Sequence, residues 1–465
     1  MKHAKGNGKN RILMLLENLP FPQDLRVRRE AFALTSAGYR VSVICPAAKG
    51  QPSREIVNGV AVYRYPAPRP AQGLLSYLWE YAYSMAASFL LSMVVFFHEG
   101  FDAIHAHNPP DTFVFIAMLY KMFGKRFVYD HHDLSPEMYV ARFHGGGKPL
   151  VYRALVLFEK LSCRVADQVI VTNESYKKVA IERARVPEQR ITIVRNGIEL
   201  TRAMIPVEPD QELRQMGKTV IGYVGVMGVQ DGVDYLLRAL NYLLRGLGRT
   251  DFYCVIVGFG DALEDLKNLA QELELQDHVR FTGPIFGDRL RQLLAAADIC
   301  VDSSPANPYT DRSTMFKMME YMSLSKPIVA FDLPEHRFTA RGAAVYVTPN
   351  DERAYARALA RLMDDPDRRL ALGATGSGRI KTQLAWEYSI PNLLSIYRNV
   401  LPAAKISEAE TPEEEVREQP IPLEATHPLQ LSLELDARLD AQKEPPVRQP
   451  DEGLPEAEES TAFSA

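Results

Sequence analysis

Short apolar runs rich in β-branched residues alternate along the chain with helical segments. In the first half the runs are RILMLL, YRVSVIC, FDAIHAH, KRFVYD, DQVIVT and RITIVRN, and in the second half they are TVIGYVG, FYCVIVG, VRFTG, ICVDSS, PIVAF and AAVYVT. Helical stretches such as RREAFALTSAG and DGVDYLLRALNYLLR lie between them. Because continuous apolarity is typical of strands that are covered on both faces, the pattern predicts open parallel sheets with helices on either side.

Two series of this kind indicate an α/β protein with two Rossmann-like domains. The series separate near RNGIELTRAMIPVEPDQE, so the first domain is predicted over residues 1–200 and the second over residues 201–382. A helical segment follows over residues 383–404. Residues 405–465 are rich in Glu, Pro and Ala and have few aromatic side chains, so they are predicted to be a disordered acidic tail.

Charge is distributed unevenly along the chain, whose net charge is −4. Residues 1–200 contain 26 Lys and Arg against 17 Asp and Glu, whereas residues 405–465 contain 5 against 16. A basic first half indicates an anionic partner such as a membrane surface or a phosphate-bearing acceptor, although solvated surface charge accounts for the same counts. Nucleic-acid binding is not predicted, because aromatic residues do not interleave with the basic ones.

Cysteine usage points to a reducing compartment. Cys45, Cys254 and Cys300 end or fill apolar runs, and none of the four cysteines lies near another in the sequence. This usage is typical of buried free thiols rather than disulfides or a zinc site. The N-terminal apolar run stops at Glu17, which is too short for a signal peptide. We therefore expect a cytoplasmic protein.

Residues 81–97, YAYSMAASFLLSMVVFF, form a 17-residue stretch without a charge. A helix that spans a membrane needs about 20 apolar residues. A buried helix, or one that lies on the membrane surface, is therefore favoured over a spanning helix. The second of these alternatives would place the protein peripherally on the inner face of the membrane.

Two glycine-rich turns follow strands in the second half. YVGVMGVQDGVD contains Gly225 and Gly228, and VIVGFGDALEDL contains Gly258. Ligands of open parallel sheets lie beyond the carboxyl ends of the strands, where glycine turns and helix N-termini can reach phosphate. Glycines at such turns also serve packing, so each turn alone is a weak signal.

The segment DRSTMFKMMEYMSLSKPIVAF, residues 311–331, predicts a helix followed by a strand. Ser313 and Thr314 fall near the start of this helix, where hydroxyls and free N–H groups can hold an anion. Lys317 and Glu320 continue the stripe from Ser313, opposite a buried face. A nucleotide diphosphate fits this order of groups, and so does an ordinary surface Lys–Glu pair. The predicted buried face comprises Met315, Phe316, Met319 and Met322.

The two-domain pattern and these motifs resemble the family 4 glycosyltransferases, which are retaining enzymes of the GT-B fold. The resemblance covers roughly residues 10 to 400 and implies two Rossmann-like domains that face a central cleft. Further motifs are similar to those of a bacterial branch associated with surface-polysaccharide assembly. The motifs that carry this closer likeness are ENLPFPQDLRVRREAFALTSAGYRVSVICP, HNPPDT, VYDHHDLSPEMY and VTNESYKKVAIERA.

The resemblance assigns expected roles to individual residues. Glu320 matches the ribose-binding glutamate, the Gly225–Gly228 turn matches the loop under the diphosphate, and Gly258 matches the strand end near the nucleotide. Asn196-Gly197 matches the interdomain linker, and AWEYSIPNLLSIY matches the helix that returns to the first domain. The full set of donor-binding candidates is Gly225, Gly228, Gly258, Asp311, Arg312, Ser313, Thr314, Lys317 and Glu320.

The expected acceptor and catalytic residues lie in the first half. His132 and Asp133 match the histidine region near the transferred sugar. Residues 18–28 match the acceptor-facing loop, whose candidates are Asp24, Arg26 and Arg28, and basic side chains there would suit a lipid-linked diphosphate. The DHHD cluster has metal-ligand residue types, but consecutive strand residues point to opposite sides, so no metal ion is predicted.

The chain departs from the family pattern in two places. Most members have a glutamate at the position of Arg312, and they carry cations where Val226 and Asp231 stand here. We expect Lys317 and Arg312, placed one turn apart on the predicted helix, to supply the missing positive charge.

The implied activity is that of a hexosyltransferase that needs no cofactor. It would move a sugar from a UDP- or GDP-linked donor to a glycan or lipid-diphosphate-linked acceptor. Two alternatives remain open at this point. One is a nucleotide-sugar 2-epimerase of the same architecture. The other is a non-catalytic scaffold subunit, which the missing glutamate and loop cations would favour.

Overall fold

Each of the twelve apolar runs contains a strand of one of two sheets. The computed structural model describes residues 10–68, 74–143 and 147–401. The first sheet has the order β3-β4-β2-β1-β5-β6-β7-β8, and every neighbouring pair except β3–β4 is parallel. Its strands are β1 Arg11–Leu15, β2 Arg40–Ala47, β3 Arg54–Val57, β4 Val60–Pro66, β5 Ala103–His107, β6 Arg126–His131, β7 Gln168–Val171 and β8 Ile191–Ile193.

The second sheet is entirely parallel and has the order β11-β10-β9-β12-β13-β14. In both sheets the order changes direction beside the first strand of the series, as in doubly wound folds. The predicted α/β architecture of two parallel-sheet domains is confirmed. The strands of the second sheet are β9 Thr219–Val226, β10 Phe252–Phe259, β11 Val279–Gly283, β12 Ile299–Asp302, β13 Ile328–Phe331 and β14 Ala344–Val347.

The antiparallel hairpin β3–β4 was missed by the sequence pattern. Asn58 and Gly59 form its turn with φ values of 48° and 80°, and Val57 pairs with Val60. An Asn-Gly pair readily adopts positive φ at both positions, which is the strongest short-range signal of a two-residue hairpin. The hairpin adds two strands, β4 parallel to β2 and β3 antiparallel at the edge of the sheet.

Helices cover both faces of each sheet and bury the apolar strand residues. In the first domain they are α1 Leu25–Ser36, α2 Leu74–His98, α3 Val114–Lys121, α4 Ser135–Arg142, α5 Pro149–Val165 and α6 Glu174–Glu182. The remaining helices are α7 Leu200–Met204, α8 Gln211–Gln215, α9 Val233–Asn241, α10 Leu263–Glu272, α11 Gly287–Ala296, α12 Phe316–Ser323, α13 Pro334–Ala340, α14 Glu352–Met363, α15 Pro366–Arg379 and α16 Ile390–Val400.

Helix α2 lies along the first sheet rather than away from it. Ser84, Ser88 and Ser92 are fully buried at successive turns, whereas Trp79 and Phe97 are exposed. By length and composition alone, residues 79–98 could cross a membrane. The buried serine stripe shows that one side of this helix packs as a layer of the domain.

The chain crosses between the domains twice, and the two crossings run side by side. Ile198 pairs with Ala385, and the Trp386 N–H donates to the Ile198 carbonyl at 3.0 Å. A Cβ on Gly197 would lie 2.5 Å from the Leu384 carbonyl oxygen, so this close approach requires glycine.

The second crossing leads into α16, which packs on the first domain beside α1. The buried Tyr397 hydroxyl contacts His105 Nδ1 at 2.7 Å. The C-terminal helix is therefore anchored in the first sheet. The tail predicted over residues 405–465 lies outside the described residues.

We expect Tyr397→Phe to lower the free energy of unfolding by about 1–2 kcal/mol, because the buried His105 Nδ1 loses its partner. Urea unfolding followed by circular dichroism would measure this. Tyr388→Phe is the matched control. Tyr388 is 47% exposed, so removing its hydroxyl should change the free energy of unfolding little. Equal effects of the two substitutions would contradict the anchoring role of Tyr397.

Candidate functional site

Side chains beyond the carboxyl ends of the strands bridge the two domains. Asn173, which follows β7, donates through Nδ2 to the Arg312 carbonyl at 2.8 Å and to Thr314 Oγ1 at 3.0 Å. The Tyr176 hydroxyl lies 3.2 Å from Ser313 Oγ. The stretch that precedes α12 is thus held by the first domain, and the strand ends of both sheets meet around it.

Helix α12 differs from its prediction in where it begins and in what it exposes. It begins at Phe316, so Ser313 and Thr314 lie in the preceding loop and not at the helix N-terminus. Lys317 and Glu320 are only 9% and 7% exposed, so the predicted solvent-facing stripe is wrong. The reason is that the helix is enclosed by the second sheet and α15. Its fully buried apolar residues are Met318, Met319, Tyr321 and Met322.

Lys317 is a buried cation beside the end of β9. Its Nζ lies 3.1 Å from the Tyr223 hydroxyl, 3.6 Å from Asp231 Oδ1 and 4.6 Å from the centre of the Tyr223 ring. Burial lowers the pKa of Lys317, but Tyr223, Asp302 and Asp231 outweigh burial and raise the pKa above its usual value. Lys317 is therefore held as a cation, and the carboxyl groups of Asp231 and Asp302 lie next to its charge.

The two glycine turns pack against each other directly above Lys317. A Cβ on Gly225 would lie 3.1 Å from Lys317 Nζ. Gly258 has φ +144°, and a Cβ there would lie 1.9 Å from the Gly225 carbonyl oxygen. Gly228 donates its N–H to Asp231 Oδ2 at 3.2 Å. Glycine at 225 leaves the backbone beside the ammonium, and glycine at 258 allows its strand end to lie against the Gly225 carbonyl.

Arg312 does not accompany Lys317 as predicted. It lies outside α12, and its guanidinium pairs with Glu137 of the first domain at 3.4 Å and donates to the Pro308 carbonyl at 2.8 Å. The expectation that both cations share one helix is corrected, because the helix starts after Arg312. Asp311 is half-buried in the same loop, and burial raises its pKa.

Glu320 faces the linker and α11. It is among the charged groups that raise the pKa of Arg29 and Arg291, although burial lowers the pKa of both arginines more strongly. Glu320 thus lies where both domains contribute cations. Its recess is lined by Ile198, Arg202, Leu290, Arg291, Leu294, Ser323 and Leu324.

His132 and Asp133 form a turn at the end of β6. Asn108 Oδ1 accepts from the backbone N–H groups of both, at 2.9 and 3.0 Å. His132 Nδ1 lies 3.2 Å from Asp130 Oδ2. Burial lowers the pKa of His132, but Asp130 outweighs burial and raises it. Burial raises the pKa of Asp133.

In the predicted acceptor loop, Arg26 is not placed to contact an acceptor. Arg26 is buried, and it donates through Nε and Nη2 to the two oxygens of Asp130 at 2.6 and 2.8 Å. Its assignment as an acceptor contact is corrected, because its charge is already paired. Asp24 accepts from the Val27 N–H at 2.8 Å and caps α1. Arg28 is half-buried, and burial lowers its pKa.

Sequence reasoning missed a buried polar cluster below this loop. Glu30, His105, His107 and Asp130 have potential ligand atoms within 4.8 Å of one another. The guanidinium of Arg26 lies among them, 3.2 Å from Glu30 Oε1 and hydrogen-bonded to Asp130. The Arg26 guanidinium already pairs with Asp130, and burial raises the pKa of Glu30 to about 8. We therefore describe the cluster as a polar network built around one ion pair. Polar residues inside apolar strands, as in FDAIHAH, were the available signal.

The two histidines of the DHHD motif point apart, as expected for consecutive residues at a strand end. His131 is fully buried with its Nε2 3.7 Å from Glu159, while His132 contacts Asp130. They do not form a chelating pair.

Comparisons with known proteins match both domains. A family model described as Glycosyltransferase Family 4 matches residues 25–202, and one described as Glycosyl transferases group 1 matches residues 218–365. An uncharacterised glycosyltransferase of Methanocaldococcus jannaschii is 25% identical over 381 residues, which cover 79% of this chain and 92% of that protein.

Solved structures share the fold at low sequence identity. Sucrose-phosphate synthase from Thermosynechococcus elongatus aligns with a TM-score of 0.68 and 20% identity, covering 84% of this chain and 99% of that one. The Anabaena protein HepE, solved in complex with UDP-glucose, aligns with a TM-score of 0.62 and 17% identity, covering 83% and 98%.

We expect Lys317→Met to destabilise the protein by about 3 kcal/mol, because Asp231 and Asp302 lose their buried counter-charge. Adding Asp231→Asn should restore part of the loss. Urea unfolding would measure both. Lys267→Met is the control, since Lys267 forms an exposed pair with Glu264 and should cost less than about 0.5 kcal/mol. A Lys317→Met protein as stable as this control would show that Lys317 is not the buried counter-charge of Asp231 and Asp302.

Proposed function

The chain belongs to the family 4 glycosyltransferases and has their GT-B fold, and from this premise we propose that it is a retaining hexosyltransferase of surface-polysaccharide biosynthesis. Its donor would be a UDP- or GDP-linked sugar, and its acceptor a glycan or a lipid-linked diphosphate. The observation that carries the proposal is the buried ammonium of Lys317 under the Gly225 turn, at the carboxyl ends of strands.

The donor diphosphate would lie over this turn. Gly225 exposes backbone within reach of Lys317 Nζ, and an ammonium with raised pKa offers a fixed charge to the β-phosphate. Glu320 would accept hydrogen bonds from ribose hydroxyls. HepE, which has the same fold, was solved with UDP-glucose, and this supports a uridine nucleotide as the first donor to test.

Transfer with retention needs no protein nucleophile in this arrangement. The acceptor hydroxyl would attack the anomeric carbon on the face that the diphosphate leaves. The bond between that carbon and the phosphate oxygen breaks, the new glycosidic bond forms, and the hydroxyl proton passes to a β-phosphate oxygen. Lys317 would stabilise the charge that develops on the leaving group, and His132 would hydrogen-bond the sugar.

The outer layer of the first domain supports a lipid-linked acceptor. Helices α2, α3 and α5 lie next to one another, joined by the ring pairs Phe96–Phe123 and Phe115–Phe158. Exposed apolar surface this extensive is unusual for a protein that contacts only water. We propose that this surface, called here the apolar layer, rests on the inner face of the membrane. Its exposed side chains are Trp79, Leu90, Val94, Phe97, Phe115, Met118, Met122, Phe123, Leu150 and Leu157.

Cations border the apolar layer. Lys121 and Lys125 lie at the end of α3 and just after it, and Lys125 Nζ lies 5.7 Å from the centre of the Phe96 ring. Lysines beside an apolar face favour anionic lipid headgroups. The buried serine stripe of α2 supports peripheral contact rather than insertion, because insertion would expose the sheet beneath it.

A nucleotide screen tests the donor site. UDP-glucose, GDP-mannose and ADP-glucose would be compared by thermal shift, and the matching donor at 100-fold excess over its Kd should stabilise wild type by about 2.7 kcal/mol. Glu320→Ala should weaken binding roughly 10- to 100-fold through loss of hydrogen bonds to a charged group. Glu272→Ala, on the exposed side of α10, should bind as wild type. If no donor shifts wild type, a scaffold role becomes the better hypothesis.

Vesicle flotation tests the apolar layer. Wild type should float with phosphatidylglycerol vesicles and be released by alkaline carbonate. The double variant Phe97→Ser/Met122→Ser should bind at least about 10-fold more weakly, since each buried apolar side chain contributes about 1.5–3 kcal/mol. Ile56→Ser is the control, because Ile56 is 77% exposed on β3, outside the apolar layer. Retention after carbonate treatment would instead indicate an inserted α2.

A further inference from the structure

A continuous line of buried polar groups connects α16 to the cleft. Tyr397 contacts His105 Nδ1, and His105 Nε2 lies 3.6 Å from Glu30. Glu30 lies 3.2 Å from Arg26, which holds Asp130. Asp130 in turn reaches His132, whose side chain is 16% exposed.

Asp130 is the residue on which these contacts converge. Its Oδ2 accepts from Arg26 Nε at 2.6 Å and contacts the Nδ1 atoms of His107 and His132 at 2.9 and 3.2 Å, while Oδ1 accepts from Arg26 Nη2. The carboxylate is fully buried. Burial raises its pKa, but Arg26 and His132 outweigh burial and hold the pKa well below the usual range. Asp130 is therefore an anion with acceptor capacity only.

This arrangement fixes the protonation of His132. A carboxylate can only accept, so the proton of a neutral His132 ring must sit on Nδ1. Asn108 holds the backbone of the same turn through the N–H groups of His132 and Asp133. The ring and the backbone of His132 are thus both held in place, and Nε2 is the ring nitrogen that Asp130 does not engage.

We propose that Asp130, supported by Arg26, is a positioning residue that holds His132 in the Nδ1-protonated form and presents its Nε2 to the transferred sugar. The proposal rests on the proposed function for the identity of the sugar ligand. The state of the ring itself is measurable without any substrate.

The neighbouring charges define the expected pH behaviour. The groups that face Asp130 and His132 are Arg26, Glu30 and Asp24 from α1 and its cap, His105 and His107 from β5, Asp133 from the same turn, and Tyr397 from α16. His105 and His107 are neutral, because burial lowers the pKa of each. Asp130 is thus the anion that favours the imidazolium form of His132, and removing its charge should lower the pKa of His132.

Histidine-selective ¹⁵N NMR on the full chain tests the proposal. The His132 signals would be identified by their loss in His132→Gln. In wild type we expect a protonated Nδ1 when the ring is neutral, and in Asp130→Asn a lower His132 pKa and a mixture of tautomers. Asp167→Asn is the matched control, because Asp167 is also a hydrogen-bonded aspartate beside the first sheet but lies away from His132. It should leave the His132 signals unchanged.

Kinetics provide the second readout. Because the ring that presents a free Nε2 is neutral, Asp130→Asn should shift the rise of the rate with rising pH towards lower pH. It should also lower kcat by roughly 10²-fold or more and leave donor affinity within about twofold. A wild-type ring protonated on Nε2, or His132 signals that do not change in Asp130→Asn, would overturn the proposal. If Asp130→Asn does not fold, the tautomer of His132 measured in wild type still tests the proposal. If no donor is turned over, the proposed function fails while the NMR result stands.

Discussion

The ion pair between Arg26 and Asp130 joins parts of the molecule that are far apart in sequence. Arg26 lies in the first turn of α1, and Asp130 is the next-to-last residue of β6. The same guanidinium also donates to the Val194 carbonyl and to Asn196 Oδ1 in the interdomain linker. A buried guanidinium with one partner missing would cost several kcal/mol. Arg26 therefore fixes the positions of the helix, the sheet and the linker relative to one another. It also fixes the end of β6, which carries His132 and Asp133.

The second domain also has a buried cation at the ends of its strands, but here it is a single lysine. Its glycine turn contains Asp231 and lacks basic side chains, so positive charge has to arrive from another element. Lys317 reaches it from the enclosed helix α12 and is held by Tyr223 and Asp231. Because Gly225 has no side chain, the ammonium lies close to the backbone at the strand end. A buried charge needs such partners, and the same partners hold it in place.

Apolar runs predicted every parallel strand except β4, because strands covered on both faces must be apolar throughout. The exposure and the partners of individual side chains were harder to predict from the sequence. Helical spacing on α12 predicted one exposed stripe, but a helix enclosed by a sheet and α15 has no such stripe. Arg26 was predicted to be an acceptor contact because its partner Asp130 is distant in sequence. The Asn58-Gly59 hairpin carried a local signal that was overlooked, whereas the network through His105 and Tyr397 depends on tertiary contacts that no local pattern encodes.

The proposed membrane surface and the proposed acceptor cleft share an edge. Glu17 lies two residues beyond β1, at the carboxyl end of that strand, and its carboxyl group is near Glu80 and Ser84 of α2. Burial and the neighbouring Glu80 raise the pKa of Glu17 to about 7. One end of α2 therefore lies at the rim of the cleft while its outer face carries Leu90 and Phe97. If the apolar layer rests on the membrane as proposed, an acceptor anchored in the bilayer would approach the carboxyl end of the first sheet along α2.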